Sequence, residues 1–217
     1  FMQSMPFFGI IAISATFVVT LGEIDLSFPS IVGITSLIFG IIMTSTDGNF
    51  FIAFILATSL GMFAGLVNGL LVTKIGIPSI VATIGTLFFW RGLVNVISQG
   101  SGIAIVDVAD GTWHHMIFVE KLFGKIPMQF IWFIVLTGLM QWVYRYHKFG
   151  NHIHFVGDNK ASAQMMGINV DNVKIIAFVQ LGFFSALAGI FTMYEMLYFW
   201  PTQGEGLMLT TLAAVFV

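Results

Sequence analysis

Apolar residues in this chain come in long unbroken runs, and that pattern limits the fold more than any other feature. A helix needs about 20 apolar residues to cross a hydrocarbon core about 30 Å thick. Such runs cover about Pro6 to Leu21, Phe28 to Thr46, Phe50 to Val72, Ser79 to Ser98, Pro127 to Tyr144 and Val173 to Trp200, and a seventh opens at Leu207. They lack the alternation of barrel strands, which run roughly ten residues. Backbone in lipid has no water to bond, so these runs are expected to be helical. Only 8% of the 217 residues are charged and 58% are hydrophobic, whereas a soluble protein carries about 25% charged residues. The expectation is an all-α, polytopic transmembrane helical bundle, with about six spans plus a truncated seventh in one domain over residues 1–217. The chain opens at Phe1 without an initiator Met and closes inside an apolar run at Val217. It is therefore expected to be an internal piece of a longer protein.

Composition also excludes several functions. A net charge of −2 leaves no footprint for nucleic acid, so membrane lipid is the expected surrounding partner. Cysteine is absent, which removes thiol catalysis and thiolate metal sites. The pairs His114-His115 and His152-x-His154 lack the further ligands a zinc site needs. There is no phosphate-binding GxxxxGK[ST] sequence and no HExxH, and no Ser–His–Asp or paired-carboxylate set is visible. The chain is not expected to be an enzyme, to bind a metal or to hold a cofactor.

Lysine and arginine set the orientation. Arg145, Lys148, Lys160 and Lys174 lie in one polar stretch, and Lys74 lies two crossings away, on the same side. The opposite side holds Lys121 and Lys125, diluted by Asp107, Asp110 and Glu120. The loop at about 145–173 is therefore expected to be cytoplasmic. Gln99 to Ile126, Asp47-Gly48-Asn49 and Pro201 to Gly206 are expected to face outward. Trp132, Trp142, Tyr144 and Tyr146 suit the membrane interfaces.

Within the cytoplasmic loop, Asp158 or Asn159 can cap a helix and Gly167 can end it in the left-handed conformation. The residues between them, Lys160 to Met166, make about two turns. Such a helix is too short to stand alone. It must pack, and Ala163, Met165 and Met166 are its apolar candidates. It either rests on its own span ends or docks a separate cytoplasmic motor domain.

The stretch GDNKASAQMMGINVDNVKI resembles the coupling segment of permease subunits in the ribose, xylose, arabinose and galactose class of ABC sugar importers. Gly157, Asn159, Ala163, Gly167, Ile168, Asn169 and Val170 match that pattern. Ala161 stands where an acid is common, and Ser162 stands where Ala is common. GEIDLSFPSIVGI resembles a second block through Gly22, Ile24, Asp25, Leu26, Ser27 and Ser30, with Glu23 in place of a usual Gly. NGLLVTKIGIPSIVATIGTLFFWRGL resembles a third through Asn68, Gly69, Gly76, Ile77, Pro78, Ala82, Thr83, Gly85, Thr86, Arg91 and Gly92. PTQGEG followed by LAAV resembles the start of a fourth, with Met208 replacing a usual acid. The blocks occur in the family's order along nearly the whole chain.

The resemblance implies a ten-span permease of the bacterial inner membrane. Its partners would be a cytoplasmic ATP-binding cassette ATPase, a periplasmic or secreted sugar-binding protein and a second permease copy, identical or not. ATP and Mg would be used by the ATPase and not by this chain. The coupling helix would comprise Gly157, Asp158, Asn159, Ala161, Ser162, Ala163, Met166, Gly167 and Ile168, and the solute would be a monosaccharide. An ABC permease for a nucleoside or a branched-chain amino acid would share the outline. An ion-coupled secondary transporter would place acids near the bilayer midplane, whereas the acids here sit mostly at span ends.

Polar residues inside the runs leave alternatives open. Arg91 lies roughly 18 Å into its span at 1.5 Å per residue, where a charge costs at least about 2.5–3.5 kcal/mol. It is either a pathway or gate residue or a structural anchor bonding carbonyls. Glu23 and Asp25 interrupt the first two runs. They mark either a broken helix beside the path or an interfacial turn with Asp25 or Ser27 as an N-cap. Asp25, Ser27, Asn68, Thr83, Thr86 and Arg91 are the candidates for a translocation path or gate. Gly61, Gly65 and Gly69 recur every four residues and present a smooth stripe for helix packing.

Overall fold

The computed structural model describes residues 5–216. Phe1 and Val217, on which the reading of the chain ends rests, lie outside the described residues. The fold is almost entirely helical. In order, the helices are α1 (Met5–Thr20), α2 (Phe28–Ser45), α3 (Phe50–Leu70), α4 (Ser79–Ser98), α5 (Val106–Ala109), α6 (Trp113–Val119), α7 (Met128–Tyr146), α8 (Lys148–Asp158), α9 (Lys160–Met165), α10 (Val170–Met196) and α11 (Leu207–Phe216). By length and apolarity, α2, α3 with its extension to Ile75, α4 and α10 can each cross a membrane. The apolar α1 and α11 are shorter.

The centre of the bundle is α10, which packs on α1, α2 and α3, while α2 lies between α3 and α4. The α3–α10 crossing is close because both helices lack side chains where they meet. A Cβ on Gly65 would fall on the Phe178 carbonyl, and one on Gly182 would fall on the Gly61 carbonyl. Gly69 faces the Ile175 backbone. Polar side chains tie other helices in pairs, as Ser36 Oγ donates to the Gly189 carbonyl of α10 at 2.9 Å. This is the small-residue packing that replaces hydrophobic drive between helices in lipid. The outer faces of α3 and α4 stay apolar and uncovered, with Phe51, Ile55 and Phe63 on one and Val81, Phe88 and Val96 on the other.

Four differences from the sequence reading concern boundaries. The α3 backbone does not stop at Val72 but widens into a π turn over Leu71–Ile75, closed by Gly76 at φ +81°. The last long run ends as a helix at Met196, because Leu197 turns left-handed (φ 50°). Tyr198–Phe199 then pairs as β4 with β1, Ile103–Ala104. The outward stretch is not plain loop: it holds α5, α6 and a hairpin of β2 (Lys121–Leu122) and β3 (Ile126–Pro127). The polar stretch 145–173 holds two helices, of which α8 was not foreseen. Its Gly150, Ile153 and Val156 face inward at spacings of three, a weak stripe hidden among His, Asn and Lys.

Contacts between loops define two ends. Residues 22–27, 71–78 and 147–169 share one end, where Lys74 Nζ lies 2.7 Å from Asp171 Oδ2. The opposite end carries residues 46–49, 99–127 and 197–206.

Candidate functional site

At the lysine-rich end, α8 and α9 form an elbow joined by Asn159 alone. Asn159 is extended (φ −157°, ψ 108°), and its side chain accepts from the Ser162 N–H at 3.0 Å. The cap is therefore Asn159, while Asp158 is the last residue of α8. At the other end of α9, Gly167 has φ +79°. The Gly167 N–H donates to the Gln164 carbonyl at 2.9 Å and the Ile168 N–H to the Ala163 carbonyl at 3.0 Å. These two bonds, with the apolar pair Ala163 and Ile168 buried beneath them, form a Schellman cap.

The elbow leans on the bundle. A Cβ on Gly157 would fall on the Thr20 carbonyl at the end of α1, and one on Gly150 on the Tyr144 carbonyl of α7. Tyr144 and Thr20 share a hydroxyl–hydroxyl bond of 2.9 Å, and the Tyr144 ring packs edge-on against His154 with centroids 4.4 Å apart. Of the three apolar candidates on α9, only Ala163 packs inward. Met165 is 84% exposed and Met166 61% exposed. Ala161 and Ser162 are exposed beside them. The result is a capped helix held from below, exposing small residues and methionines beyond Lys160.

Beneath α9 lies a cluster of charges that the sequence pattern did not reveal. Glu23, in the α1–α2 connection, pairs with Lys174 of α10. Both are buried. Lys160, the first residue of α9, places its ammonium 3.8 Å from the same carboxylate oxygen. Contact with Lys174 and then its charge hold Lys160 below the ordinary lysine pKa; partial burial adds to this and Glu23 opposes it.

Five of the six path-or-gate candidates meet in one seam. Residues 22–27 are neither helix nor simple cap. Asp25 Oδ1 accepts from the Ser27 N–H (2.6 Å) and hydroxyl (2.7 Å). Asn68 of α3 donates to Asp25 Oδ2 at 3.0 Å and to Ser27 Oγ at 2.7 Å. Thr86 of α4 donates to Asn68 Oδ1 at 2.7 Å. The hydroxyls of Thr83 and Ser79 accept from the backbone N–H groups of Leu26 and Ile24, each at 3.1 Å. Ser27 occupies the N-cap position of α2, but its side chain makes no capping bond, since Asp25 and Asn68 engage it. Irregular backbone is tolerated within a membrane where protein satisfies its polar groups, and α3 and α4 supply those partners here.

Arg91 stands apart from the seam. Its Nη1 donates to the carbonyls of Pro201 (2.8 Å) and Gln203 (3.1 Å), and its Nη2 to that of Pro29 (3.4 Å). Its Nε lies 3.7 Å from Glu205. Of the two alternatives, the anchor bonding carbonyls describes this geometry: the guanidinium ties the segment between α10 and α11 to α2. Gln203 reinforces the tie by donating to Ser36 Oγ at 2.9 Å; only its place in PTQGEG hinted at it. His114, near the other end of α10, shares hydrogen bonds of 2.9 Å with Thr112 and with Tyr194 and stacks on Phe50. Burial and the neighbouring His115 charge lower its pKa.

Four helices long and apolar enough to cross a membrane, polar breaks bonded between helices and a short capped helix at one end describe a polytopic membrane protein. The chain belongs to the family described as branched-chain amino acid transport system / permease component, whose profile matches residues 1–217. It is 33% identical over 211 residues to the autoinducer 2 import system permease protein LsrC of Photorhabdus luminescens, covering 94% of this chain and 60% of that protein. It is 34% identical over 206 residues to the protein of the same name from Yersinia pseudotuberculosis serotype O:3 (strain YPIII), covering 94% and 57%. The same identity and coverage hold for that of Yersinia pestis (strain Pestoides F). The chain thus spans somewhat under two thirds of the length of these relatives. No solved structure matches it.

Proposed function

We propose that this chain is the larger part of the membrane-spanning subunit of a binding-protein-dependent ABC importer in a bacterial inner membrane. The observation that carries this reading is α9: capped at both ends, seated on Ala163 and Ile168, and exposing Ala161, Ser162, Met165 and Met166. Small residues admit a partner's backbone, and methionines adapt to a partner's groove. The partner would be a cytoplasmic ATPase. Its closure on ATP would push α9, and the bundle would switch the side from which the path opens. Two packings differing by a few kcal/mol suffice for a nucleotide to select one.

The solute class follows from the relatives, whose names specify autoinducer 2 import, and from the sugar-importer resemblance of the coupling segment. We take it to be a small hydroxylated, sugar-like molecule, delivered by a soluble binding protein to the end carrying residues 99–127 and 197–206. A second permease copy would complete the path.

The test is ATP-driven uptake in proteoliposomes holding the full-length permease, its ATPase and its binding protein. Gly167→Pro cannot adopt φ +79°, and Asn159→Lys removes the cap. Both variants are expected to assemble and hydrolyse ATP while losing most uptake. Normal uptake in both refutes the coupling role, and uptake without any ATPase refutes the class.

A further inference from the structure

The Glu23 cluster is a charge arrangement that packing alone does not require. Two lysines from different helices approach one carboxylate from a third segment. Lys174 and Glu23 make a buried neutral pair. Lys160 is then the surplus charge, and its place is doubly unfavourable. It lies beside the Lys174 ammonium, and it is the first residue of α9, where the helix dipole opposes a cation. Among the described residues, Glu23 alone compensates both. Lys160 remains 57% exposed, so it is free to leave. Glu23 follows α1 directly and lies two residues before Asp25, the acceptor of the buried seam. The Lys160–Glu23 contact therefore joins the exposed coupling helix to the irregular segment that α3 and α4 hold inside the bundle.

We propose that Glu23 is a positioning residue of the transport cycle: a carboxylate shared by Lys174 and Lys160, through which displacement of α9 is felt at residues 22–27. With α9 seated, Glu23 is divided between two cations. With α9 drawn away, Lys160 departs with it and Glu23 collapses onto Lys174 alone. The 22–27 segment thereby experiences two electrostatic environments that depend on where α9 sits. This rests on the importer reading and specifies the internal route by which it would operate.

The test uses the full-length permease with its ATPase and binding protein in proteoliposomes, reading solute taken up per ATP hydrolysed. Lys160 is exposed, so Lys160→Gln is expected to fold, assemble and hydrolyse ATP normally. Its uptake per ATP should fall about two- to fivefold, the range for one partly exposed ion pair. Lys160→Arg should restore it. Glu23→Gln should show a loss at least as large. The double variant Glu23→Gln/Lys160→Gln should be no worse than Glu23→Gln alone, because the two residues act through one contact. An unchanged ratio in Lys160→Gln, or losses that multiply in the double variant, overturns the proposal while leaving the importer reading intact. A wild-type complex that shows no ATP-driven uptake overturns both.

Discussion

Asn68 is the residue on which most of the buried polar chemistry converges. Its amide donates twice and accepts once, and it has no exposed surface. Asn68→Ala would strip a partner from Asp25, Ser27 and Thr86 together. Leaving such groups unpaired costs about 1–3 kcal/mol each, and more for a charge. The expected result is a large drop in the melting temperature of the detergent-solubilised protein, with α9 labelling unchanged. Thr86→Val removes one hydroxyl of the same network, which donates to Asn68 Oδ1 at 2.7 Å and approaches the Thr83 carbonyl at 3.3 Å, and should cost about 1–3 kcal/mol, the penalty of one unpaired group. Equal losses in the two variants would show that the seam is not organised around Asn68. Asn68 was legible in the sequence as one polar residue among several within apolar runs. Its partners were not, because Asp25 is 43 positions away and no local spacing reports a contact between α3 and the α1–α2 connection. Glu23 was legible as an interruption of the apolar runs and a departure from a resemblance, but its partner was not, since Lys174 is 151 positions away.

Among the elements, α3 shows how glycine sets helix separation. Gly65 sits under the Phe178 carbonyl, which is helix backbone and cannot rotate aside. Gly65→Ala must part α3 from α10, and overpacking of this kind costs about 1–3 kcal/mol. Gly85 of α4 has nothing within 4 Å of a built Cβ, so Gly85→Ala should be neutral or stabilise by about 0.5–1 kcal/mol through helix propensity. Thermal unfolding of the two variants in the same detergent gives opposite signs if the stripe governs packing. The glycine period was readable directly, because four residues bring a helix back to nearly the same face. The π turn after Leu70 was not, since Leu71–Ile75 continues the apolar run without a break and only Gly76 marks where the turn closes. Nor was α8, whose three inward residues include a glycine that no hydrophobic pattern counts.

For the molecule as a whole, the importer reading and the distribution of lysines lead to the expectation that the two ends face opposite compartments. These 217 residues hold no cysteine, so single cysteines introduced at Ser162 and at Lys121 of the full-length permease, with any cysteine outside these residues replaced, can be labelled without background. In right-side-out vesicles a membrane-impermeant thiol reagent should reach position 121 and not position 162, and inside-out vesicles should give the reverse. Labelling of both from one side would remove the basis for placing α9 near an ATPase. Six apolar runs and the start of a seventh were visible in the sequence and each is largely helical, although among the described residues four helices are long and apolar enough to cross a membrane. What composition could not give was their arrangement, because the apolar residues of α10 and of α4 look alike in sequence, although α10 is enclosed on most of its surface and α4 is largely uncovered.

The joint between α8 and α9 consists of Asn159 and nothing else. One residue offers two soft backbone rotations, and the Asn159 side chain is already committed to α9. The two helices therefore form two arms that meet at a single capped residue. One arm carries Met165 and Met166 into the open; the other bears, through Gly157, on the last carbonyl of α1. Under the importer reading, a push on the first arm would reach α1 through the second, and lengthening the joint by two glycines would turn a lever into a tether.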